Sequence, residues 1–583
     1  MTQLDPQADS DDRSSAEAVR YGPTVADVVG RVLADLGVGH VFGVVGSGNF
    51  VMTNALRAGG VAFTAARHEG GAATMADAYS RMSSRVAVAT VHQGCGLTNA
   101  MTGITESAKS RTPMIVLAAD SPAAALKSNF RVDQEGLARS VGAVSERVYS
   151  PETAVADVVR AYRTAVQQRA TVVLNVAIDV AASAASVEGP IDVEITAPRM
   201  RADEVSVLRL VDLITSAQRP VFVAGRGGRG AGQEIDELAA KTGALVATSA
   251  VANGLFAEDD FSLGISGGFS SPATADLIAG ADLIVGWGCA LNMWTMRQGK
   301  LIGAQTVVAQ VDDDVSAIGA HRAVDLGVVG DCALVAADCL DALGDVADRV
   351  GYRTAEVAQR IAKESRWQDV PLDADADADA DADAGAAVAA ADRIDPRALT
   401  IALDEILPAD RVVAIDSGNF MGYPATHLSV PDEFGFCFTQ AYQSIGLGLY
   451  TAIGAAAAQP DRLPVLGTGD GGFMMAISEL DTAVRTRIPL VVIVYNDSAY
   501  GAEVYHFGDA DMTTVTFPET DIAAVAAGFG AVGVTVRSVG DLSQVHEWVS
   551  RYEADGWAPP LVIDAKITSD GGSWWLAEAF AGH

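Results

Sequence analysis

Basic residues are scarce in this chain. Its 583 residues include 40 Lys and Arg against 74 Asp and Glu, which gives a formal net charge of −34. Nucleic acids and anionic membrane surfaces attract proteins through basic patches, so the deficit argues against both as partners. The simplest role of so much negative charge is to keep the protein soluble.

Cysteine is scarce as well. The five cysteines are an odd number, and no two of them have the spacing of metal ligands. They are Cys95, Cys289, Cys332, Cys339 and Cys437. The pattern gives no support to a disulfide framework or a cysteine metal site, and it predicts free thiols in a reducing compartment.

Long apolar runs are missing too. No run approaches the roughly 20 residues of a membrane-spanning helix. Residues 1–20 are acidic and polar, without the basic and apolar parts of a signal peptide. We therefore expect a cytoplasmic protein without a membrane segment, and we expect 1–20 to form a disordered tail.

Apolar residues make up 49% of the chain, which is enough for large buried cores. Three stretches, 21–190, 200–345 and 393–583, alternate short apolar strands with helical patterns. This alternation predicts an α/β protein with three doubly wound parallel-sheet domains. The predicted strands are Val38–Val45, Val61–Ala66, Arg85–Val91, Pro113–Ala119, Pro220–Ala224, Ala244–Thr248, Asp282–Trp287, Thr306–Val311, Arg411–Ile415, Leu463–Leu466, Leu490–Tyr495 and Pro560–Ile563.

A fourth stretch, 371–392, has a different composition. It repeats Asp and Ala, which offers no apolar face and sets like charges close together. We interpret it as a flexible linker without chemistry of its own.

The most informative segment runs from Pro464 to Gly501. A strand that ends near Leu466 is followed by the glycine-rich loop GTGDGG and then by a helix predicted over Met474–Arg485. A helix N-terminus beside such a loop favours anions, phosphate above all. A second apolar strand ends at Tyr495.

Polar side chains follow both of these strands. Asp470 comes after the first strand, and Asn496 and Asp497 come after the second. Because a parallel crossover brings both carboxyl ends to one edge of the sheet, we expect these side chains to meet where open α/β sheets bind ligands. Oxygen ligands beside a phosphate-binding helix suit Mg²⁺, which takes few protein ligands and completes its octahedron with phosphate oxygens and water.

This segment resembles the GDG…NN signature of thiamine-diphosphate enzymes. Residues 469–471 match the GDG, and Asn496 and Asp497 match the two asparagines, with Asp497 27 positions after Asp470 (497 − 470). The resemblance implies a Mg²⁺ site formed by Asp470, Asp497 and the backbone carbonyl of Ala499. Asp497 departs from the family's Asn, but a carboxylate also binds Mg²⁺ and adds negative charge.

The resemblance also implies a set of residues in contact with thiamine diphosphate. They are Gly418, Asn419, Ile445, Gly469, Asp470, Gly471, Gly472, Asn496, Ser498 and Tyr500. Ile445 matches the bulky apolar residue that supports the bent coenzyme in the family. Gly418, Asn419 and Phe420 stand where relatives have a Gly-Gln-His that contacts the diphosphate; Asn419 can donate a hydrogen bond there, and Phe420 cannot.

The family needs a second element, a Glu from its first domain that hydrogen-bonds the aminopyrimidine ring and so promotes loss of the thiazolium C2 proton. The stretch from Arg67 to Tyr79 resembles the RHE…A-x-x-M-A-x-x-Y pattern of acetolactate-synthase-like enzymes, and the match makes Glu69 the catalytic Glu. Alone, a Glu at a helix N-terminus is more often only a partner of the helix dipole. The presence of both motifs in the family's order favours the catalytic role.

Four further residues are candidates for the substrate side. His92 and Gln93 follow a predicted strand where relatives have a substrate loop, and Gln134 lies in the stretch DQE, which resembles the family's F-Q-E. His506 stands where acetolactate synthases have a Trp that selects the second oxo acid. The whole segment Ala502–Phe507 departs from the synthases, which favours a substrate other than 2-oxobutyrate; an ordinary surface loop is the alternative.

The resemblance weakens in the central stretch. Acetolactate synthases bind FAD there, and the glycine-rich turn Gly225–Gly230 could receive a phosphate. The later segment Cys289–Trp294 lacks the family's Arg and paired Asp. We therefore favour a vestigial turn over a bound FAD.

Over residues 21–573 the resemblance implies pyrimidine-binding, central and diphosphate-binding domains, with the coenzyme bound between the subunits of a homodimer or homotetramer. The function we expect is decarboxylation of a 2-oxo acid and transfer of the acyl group to an aldehyde or a second oxo acid. The alternatives within the superfamily are a simple decarboxylase and a C–C lyase, including lysis of acyl-CoA, for which an acidic chain is a poor host. The alternative from another class is an inactive paralogue with a regulatory or scaffold role, against which Glu69 and Asp470 together argue.

Overall fold

The computed structural model describes residues 23–185, 189, 191, 193–345, 347–370, 392–507 and 510–568. The predicted tail, 1–20, lies outside this set. The predicted linker, 371–392, also lies outside it except for Asp392.

The first sheet has six parallel strands in the order β2-β1-β3-β4-β6-β5. Its strands are β1 (His40–Gly43), β2 (Ala62–Ala65), β3 (Ala87–Val91), β4 (Met114–Asp120), β5 (Val144–Val148) and β6 (Thr171–Ala177). The helices are α1 (Val25–Asp35), α2 (Phe50–Ala58), α3 (Glu69–Ser83), α4 (Cys95–Lys109), α5 (Gln134–Ser140), α6 (Ala154–Gln167) and α7 (Ile178–Ala181). Strands β3, β4 and β6 are buried along their whole length, as parallel strands covered by helices on both faces should be.

The second sheet has the order β12-β11-β10-β7-β8-β9, and its strands are also parallel. The strands are β7 (Pro220–Ala224), β8 (Leu245–Thr248), β9 (Ser262–Ile265), β10 (Leu283–Trp287), β11 (Val307–Asp312) and β12 (Leu326–Val329). The helices are α8 (Glu204–Ser216), α9 (Gly232–Thr242), α10 (Pro272–Ala279), α11 (Cys332–Leu343) and α12 (Ala355–Glu364).

The third sheet has the order β14-β13-β15-β16-β18-β17, again with parallel pairing throughout. The strands are β13 (Arg411–Ile415), β14 (Phe436–Phe438), β15 (Leu463–Gly469), β16 (Val491–Asn496), β17 (Val532–Val536) and β18 (Leu561–Lys566). The helices are α13 (Pro396–Ile406), α14 (Gly422–His427), α15 (Gly448–Ala458), α16 (Asp470–Ala476), α17 (Glu479–Arg485), α18 (Gly501–Phe507), α19 (Ile522–Gly528) and α20 (Ser543–Asp555). The predicted class, three parallel α/β sheets, is confirmed.

The glycine-rich segment differs from the prediction. Strand β15 continues to Gly469, and α16 begins directly at Asp470, so the four glycines lie in regular structure rather than in a loop. The single helix predicted over Met474–Arg485 is wrong, because the chain forms two short helices that are separated at Ile477 and Ser478. An acidic residue in the first turn of a helix is favourable, which explains why the helix begins at Asp470.

Two of the sheets place polar residues at the ends of strands where the order of connection reverses. In the first sheet this point lies between β1 and β3, and in the third sheet it lies between β13 and β15. Ligands of open α/β sheets bind at the carboxyl ends of strands at such points. The candidates His92, after β3, and Asp470, after β15, occupy these positions, and Asp416, after β13, lies there too.

The five cysteines are free thiols, and of these only Cys95 is exposed. Over the part of the chain that the structure describes, no helix has both the length and the apolar character needed to cross a bilayer.

Helix α3 of the first sheet packs directly on helix α15 of the third sheet. Residues of both helices, among them Met75 and Ile453, belong to one buried apolar cluster. The contact requires Gly454, because a Cβ at this position would lie 2.3 Å from the carbonyl oxygen of Met75. The helices therefore approach each other closely enough for backbone to contact backbone.

This contact generates a prediction for Gly454→Ala. The added methyl group has to push α3 and α15 apart, and overpacking of this kind costs about 1–3 kcal/mol. We expect a lower midpoint of thermal unfolding. Gly528→Ala, at the end of α19, is the matched control, since a Cβ there meets nothing within 4 Å. Equal midpoints for the two variants would contradict the prediction.

Candidate active site

Glu69 is the first residue of α3. His68 precedes it as the N-cap, and its Nδ1 accepts a hydrogen bond from the N–H of Gly70 at 3.0 Å. Oε2 of Glu69 accepts a hydrogen bond from Nδ2 of Asn99 at 3.1 Å. A Cβ at Gly96 would lie 3.4 Å from Oε1. The half-buried carboxylate therefore lies against the first turns of α4.

The backbone before Glu69 is held by a residue of the third sheet's helices. Glu479, at the start of α17, is fully buried. Its Oε1 accepts hydrogen bonds from the N–H groups of Arg67 at 2.8 Å and His68 at 2.9 Å, and its Oε2 accepts one from the hydroxyl of Thr482. Burial raises the pKa of Glu479 above its usual value.

His92 and Gln93 lie at the end of β3. Nδ1 of His92 is 3.0 Å from the carbonyl oxygen of Gln93, and Nε2 is 3.5 Å from the hydroxyl of Ser47. The first contact requires a proton on Nδ1, so Nε2 is the acceptor in the neutral ring. Oε1 of Gln93 is buried and has no hydrogen-bond partner among the described residues.

Gln134 is almost fully buried, and its amide is used inside the domain. Its Oε1 accepts a hydrogen bond from the N–H of Gly94 at 2.7 Å. Its Nε2 donates to the carbonyl oxygen of Ala119 at 3.0 Å and to Oδ1 of Asn175 at 2.8 Å. Both amide protons are thus engaged, and Gln134 fixes the loop that carries His92 and Gln93.

Asp497 lies close enough to Asp470 to affect its ionisation. Burial and the charge of Asp497 raise the pKa of Asp470 to about 7, and burial raises the pKa of Asp497 to about 6. Oδ1 of Asp497 also accepts a hydrogen bond from the N–H of Ala499 at 3.2 Å. Among the described residues no group of three or more His, Cys, Asp or Glu could hold a metal ion, so a cation here would depend on these two carboxylates and on backbone oxygens.

The side chain of Asn496 is buried, and its amide forms hydrogen bonds with other residues of the protein. Its Nδ2 donates to Oδ1 of Asp564 at 2.8 Å, and its Oδ1 accepts from the N–H of Ser498 at 3.1 Å. Ser498 has a positive φ of 59°. The Asn496 amide therefore stabilises the tight turn that presents Asp497 and Ala499.

The glycines of this region leave room for side chains that approach the sheet edge. A Cβ at Gly471 would lie 2.8 Å from the ring of Tyr500, and a Cβ at Gly469 would lie 3.1 Å from the ring of Phe420. At Gly501, a Cβ would lie 2.5 Å from Oδ2 of Asp497 and 3.5 Å from Nδ2 of Asn419.

These distances show that the turns after β13, β15 and β16 converge. The structure thus brings Gly418–Asn419, Gly469–Gly472 and Asp497–Tyr500 together at one edge of the third sheet.

Ile445 precedes α15, and its side chain is 38% exposed at this edge. The backbone around it is held by the buried carboxylate of Asp416, whose Oδ1 accepts hydrogen bonds from the N–H groups of Gly446 at 2.9 Å and Leu447 at 3.2 Å.

His506 lies on the exposed part of α18, and its ring packs against Phe507 at 4.6 Å between centroids. The presumed substrate segment, Ala502–Phe507, is therefore a short helix that begins next to Asp497.

The central turn takes part in a cavity. Residues Arg226–Ala231 form a short 3-10 helix, and Gly225 and Arg226 line a cavity of about 370 Å³ with Lys109, Phe269 and Trp294. A Cβ at Gly227 would lie 2.8 Å from Cα of Gly288, and a Cβ at Gly228 would lie 2.8 Å from the carbonyl oxygen of Trp287, which explains these two glycines of the helix. The preference for a turn without FAD stays a prediction.

Several residues of the site were not found from the sequence. Asn99 donates a hydrogen bond to Glu69, Glu479 accepts from the backbone just before Glu69, and Asp416 accepts from the backbone just after Ile445. Asp416 had a sequence signal, because an Asp directly after a predicted strand is typical of a ligand-binding edge. Asn99 and Glu479 lie inside helices, where nothing local distinguishes them.

Comparison with known families identifies the class. The chain matches the "Thiamine pyrophosphate enzyme, N-terminal TPP binding domain" over residues 23–140, the "central domain" over 207–343 and the "C-terminal TPP binding domain" over 416–558. The chain therefore belongs to the thiamine pyrophosphate-dependent enzymes.

Individual relatives differ in their named activities. The chain is 27% identical to a sulfoacetaldehyde acetyltransferase of Alcaligenes xylosoxydans xylosoxydans over 560 residues, 92% of this chain and 91% of that protein. It is 27% identical to a probable 2-ketoarginine decarboxylase of Pseudomonas aeruginosa over 494 residues, 82% and 83% of the two chains. It is 26% identical to an acetolactate synthase of Bacillus subtilis over 568 residues, 93% of each.

The contacts of Gln134 generate a second prediction. Gln134→Ala leaves the N–H of Gly94 and Oδ1 of Asn175 without their partner, at a cost of about 1–3 kcal/mol for a buried polar group. We expect a lower midpoint of thermal unfolding. Gln134→Glu should not restore it, because a carboxylate cannot donate to the oxygens of Ala119 and Asn175. Gln167→Ala, on the exposed side of α6, is the control. An unchanged midpoint with a raised KM would instead indicate direct contact with substrate.

Proposed function

We propose that this thiamine-diphosphate enzyme uses Mg²⁺, decarboxylates a 2-oxo acid and transfers the acyl group to an aldehyde or a second oxo acid. The observation that carries the proposal is that one chain has both halves of the required site. Glu69 lies at the head of α3, and the pair Asp470 and Asp497 lies at the edge of the third sheet.

The residues present fit a magnesium diphosphate. Asp470, Asp497 and the carbonyl oxygen of Ala499 are hard oxygen ligands of the kind that Mg²⁺ prefers. The pKa values of the two carboxyls are raised because their negative charge is buried without enough compensation. A divalent cation would supply that compensation. The glycines at positions 469, 471 and 472 let the backbone approach a phosphate closely.

The other residues of this edge would then contact the coenzyme. We assign the diphosphate to the backbone and side chains of Gly418, Asn419, the glycines at 469–472, Ser498 and Tyr500. Ile445 would contact the coenzyme from the opposite side, and Asn496 would support the metal turn from below through Asp564.

When bound, thiamine diphosphate supplies a nucleophilic carbon and accepts the electron pair that the departing CO₂ leaves behind. Glu69 would share a proton with the aminopyrimidine ring of the bound coenzyme. Asn99 donates to Oε2 of Glu69, and we assign the exchange of the proton to the other oxygen, Oε1. His92, Gln93 and His506 are the residues that we assign to the substrate, with Gln134 holding the loop of the first two.

The active form would be a homodimer or homotetramer with each site between subunits. No hydrogen bond of the described residues joins Glu69 to the cluster around Asp470. Apolar side chains beside that cluster are exposed in the single chain: Met474 by 41%, Met475 by 55% and Ile445 by 38%. A second copy would cover them and bring its own Glu69 to this edge.

A second candidate function is acetyl transfer from sulfoacetaldehyde. Two relatives of that name match the chain over 91% and 96% of their own lengths. Sulfoacetaldehyde carries its sulfonate on the carbon next to the aldehyde group and has no carboxylate. Its conversion to an acetyl group that passes to a nucleophilic acceptor would therefore release sulfite and no CO₂. Product analysis therefore separates the two candidates.

The test is CO₂ release from the protein loaded with thiamine diphosphate and Mg²⁺ and supplied with pyruvate, followed by a panel of 2-oxo acids. We expect CO₂ together with acetolactate or another acyloin. Glu69→Gln should reduce turnover by about 100-fold or more, because it removes the acid–base group, but should keep coenzyme binding. Glu547→Gln, on the exposed face of α20, should behave as the unmodified protein.

Other products would change the proposal in defined ways. CO₂ with a free aldehyde would identify a simple decarboxylase. Consumption of sulfoacetaldehyde without CO₂ would favour the acetyl transfer. No reaction with any of these substrates, or a Glu69→Gln variant with full turnover, would contradict the proposed function.

The metal site generates a further prediction, for binding of Mn²⁺ to the coenzyme-free protein. Metal binding needs both carboxylates ionised, and their pKa values are raised to about 7 and about 6. Lowering the pH from 8 to 5.5 therefore protonates them and should weaken Mn²⁺ binding, as measured by electron paramagnetic resonance. Asp497→Asn should weaken binding about tenfold at pH 8, because it removes one charged ligand. Asp212→Asn, on the exposed face of α8, is the control. Mn²⁺ binding that does not depend on pH would contradict the prediction.

A further inference from the structure

Asp416 is a buried carboxylate without a cationic partner. It follows β13 directly, and only 1% of its surface is exposed. No Lys, Arg or His of the described residues forms an ion pair with it, and burial raises its pKa to about 6. A buried carboxylate has to be compensated by hydrogen-bond donors, and the donors around Asp416 show what it does.

The first oxygen of Asp416 binds the beginning of α15. Oδ1 accepts hydrogen bonds from the N–H groups of Gly446 at 2.9 Å and Leu447 at 3.2 Å. Helix α15 has 11 residues and starts at Gly448, and its own N-cap makes no side-chain hydrogen bond. The first N–H groups of a helix lack partners and carry the positive end of its dipole, so the carboxylate satisfies both needs from another strand.

The remaining contacts of Asp416 reach the turns after β13 and β15. Oδ1 also accepts the N–H of Ser417 at 2.8 Å, next to Gly418. Oδ2 accepts the hydroxyl of Thr468 at 3.1 Å, two residues before Asp470. One carboxylate therefore joins three segments of the candidate coenzyme site.

The packing around Asp416 leaves no free space. A Cβ at Gly472 would lie 2.4 Å from Oδ2, and a Cβ at Gly448 would lie 2.6 Å from Cβ of Asp416. Ile445 is the residue just before the N–H groups that Asp416 holds, and Gly446 has a positive φ of 84°. The position of the Ile445 side chain is therefore set by a turn whose hydrogen bonds end on Asp416.

We propose that Asp416 is a positioning residue that acts on the coenzyme through Ile445, without contact of its own. The proposal rests on the proposed function for the role of Ile445 as the support of the bent coenzyme. When Asp416 is replaced, the coenzyme still binds through its diphosphate and metal. Its two rings are no longer held together for transfer of the C2 proton.

The test measures exchange of the C2 proton of bound thiamine diphosphate with D₂O, by acid quench and proton NMR, in the Mg²⁺-loaded protein without substrate. We expect Asp416→Ala to slow the exchange by about tenfold to a hundredfold, the scale of a misplacement near 1 Å. The dissociation constant of the coenzyme should change less than the exchange rate. Asp416→Asn keeps an acceptor oxygen for Gly446 and Leu447, so it should recover part of the loss.

A double-mutant cycle with Ile445→Ala distinguishes positioning from general stability. If Asp416 acts through Ile445, the double variant should exchange no more slowly than the slower single variant. Asp331→Ala is the matched control: Asp331 accepts the N–H of Leu334 as the N-cap of α11, which belongs to the second sheet's domain. It should lower stability without slowing the exchange.

The proposal is overturned if the effects of Asp416→Ala and Ile445→Ala multiply, or if Asp416→Ala exchanges at the unmodified rate. If Asp416→Ala does not fold, Thr468→Val and Asp416→Asn replace it in the double-mutant cycle with Ile445→Ala. Effects of Asp416→Asn and Ile445→Ala that multiply would overturn the proposal equally. The exchange is measured without substrate. A protein that exchanges the C2 proton but releases no CO₂ would therefore contradict the proposed function, and the exchange rates of the variants would still test the role of Asp416.

Discussion

The close contact of α3 with α15 is the constraint on which the site depends. Glu69 begins the first helix, and Ile445 lies just before the second, so both candidate residues stand at the N-terminal ends of packed helices. Gly454 allows the helices to meet at backbone distance, and Glu479 fixes the backbone of Arg67 and His68 at one end. A change in the angle between the helices would move both residues at once.

The sequence was sufficient to predict the fold class and the sheet edges that carry the candidate residues. Glycines and polar residues after apolar runs have local signals, and the parallel crossover then requires Asp470 and Asp497 to meet. The sequence was not sufficient to predict six of the strands, which are β5, β6, β9, β12, β14 and β17. Strand β6, for example, has Asn175 inside its apolar run, and that Asn is needed by Gln134, which is distant in sequence.

Long-range hydrogen bonds limited the interpretation of single residues. Gln134 matches a substrate-side residue of the family, and the fold adds that its amide is engaged by Gly94, Ala119 and Asn175. Asn496 matches a coenzyme-site residue of the family, and the fold adds that its amide is engaged by Asp564 and Ser498. In both cases the deciding partner lies in a neighbouring strand or turn, and only the folded sheet brings it into contact.

The bond between Glu479 and the backbone of Arg67 and His68 limits how the domains can be exchanged. The donors are backbone N–H groups, which do not depend on the side chains at these positions. The acceptor is a side-chain carboxylate, which is present only where the sequence has an acidic residue. A chimera that combines the first domain of this protein with a third domain from another enzyme would keep the amides and risk losing their acceptor. The fit of this protein's first domain to a foreign third domain would therefore depend on one buried acid, while the sequence around Glu69 itself stays unchanged.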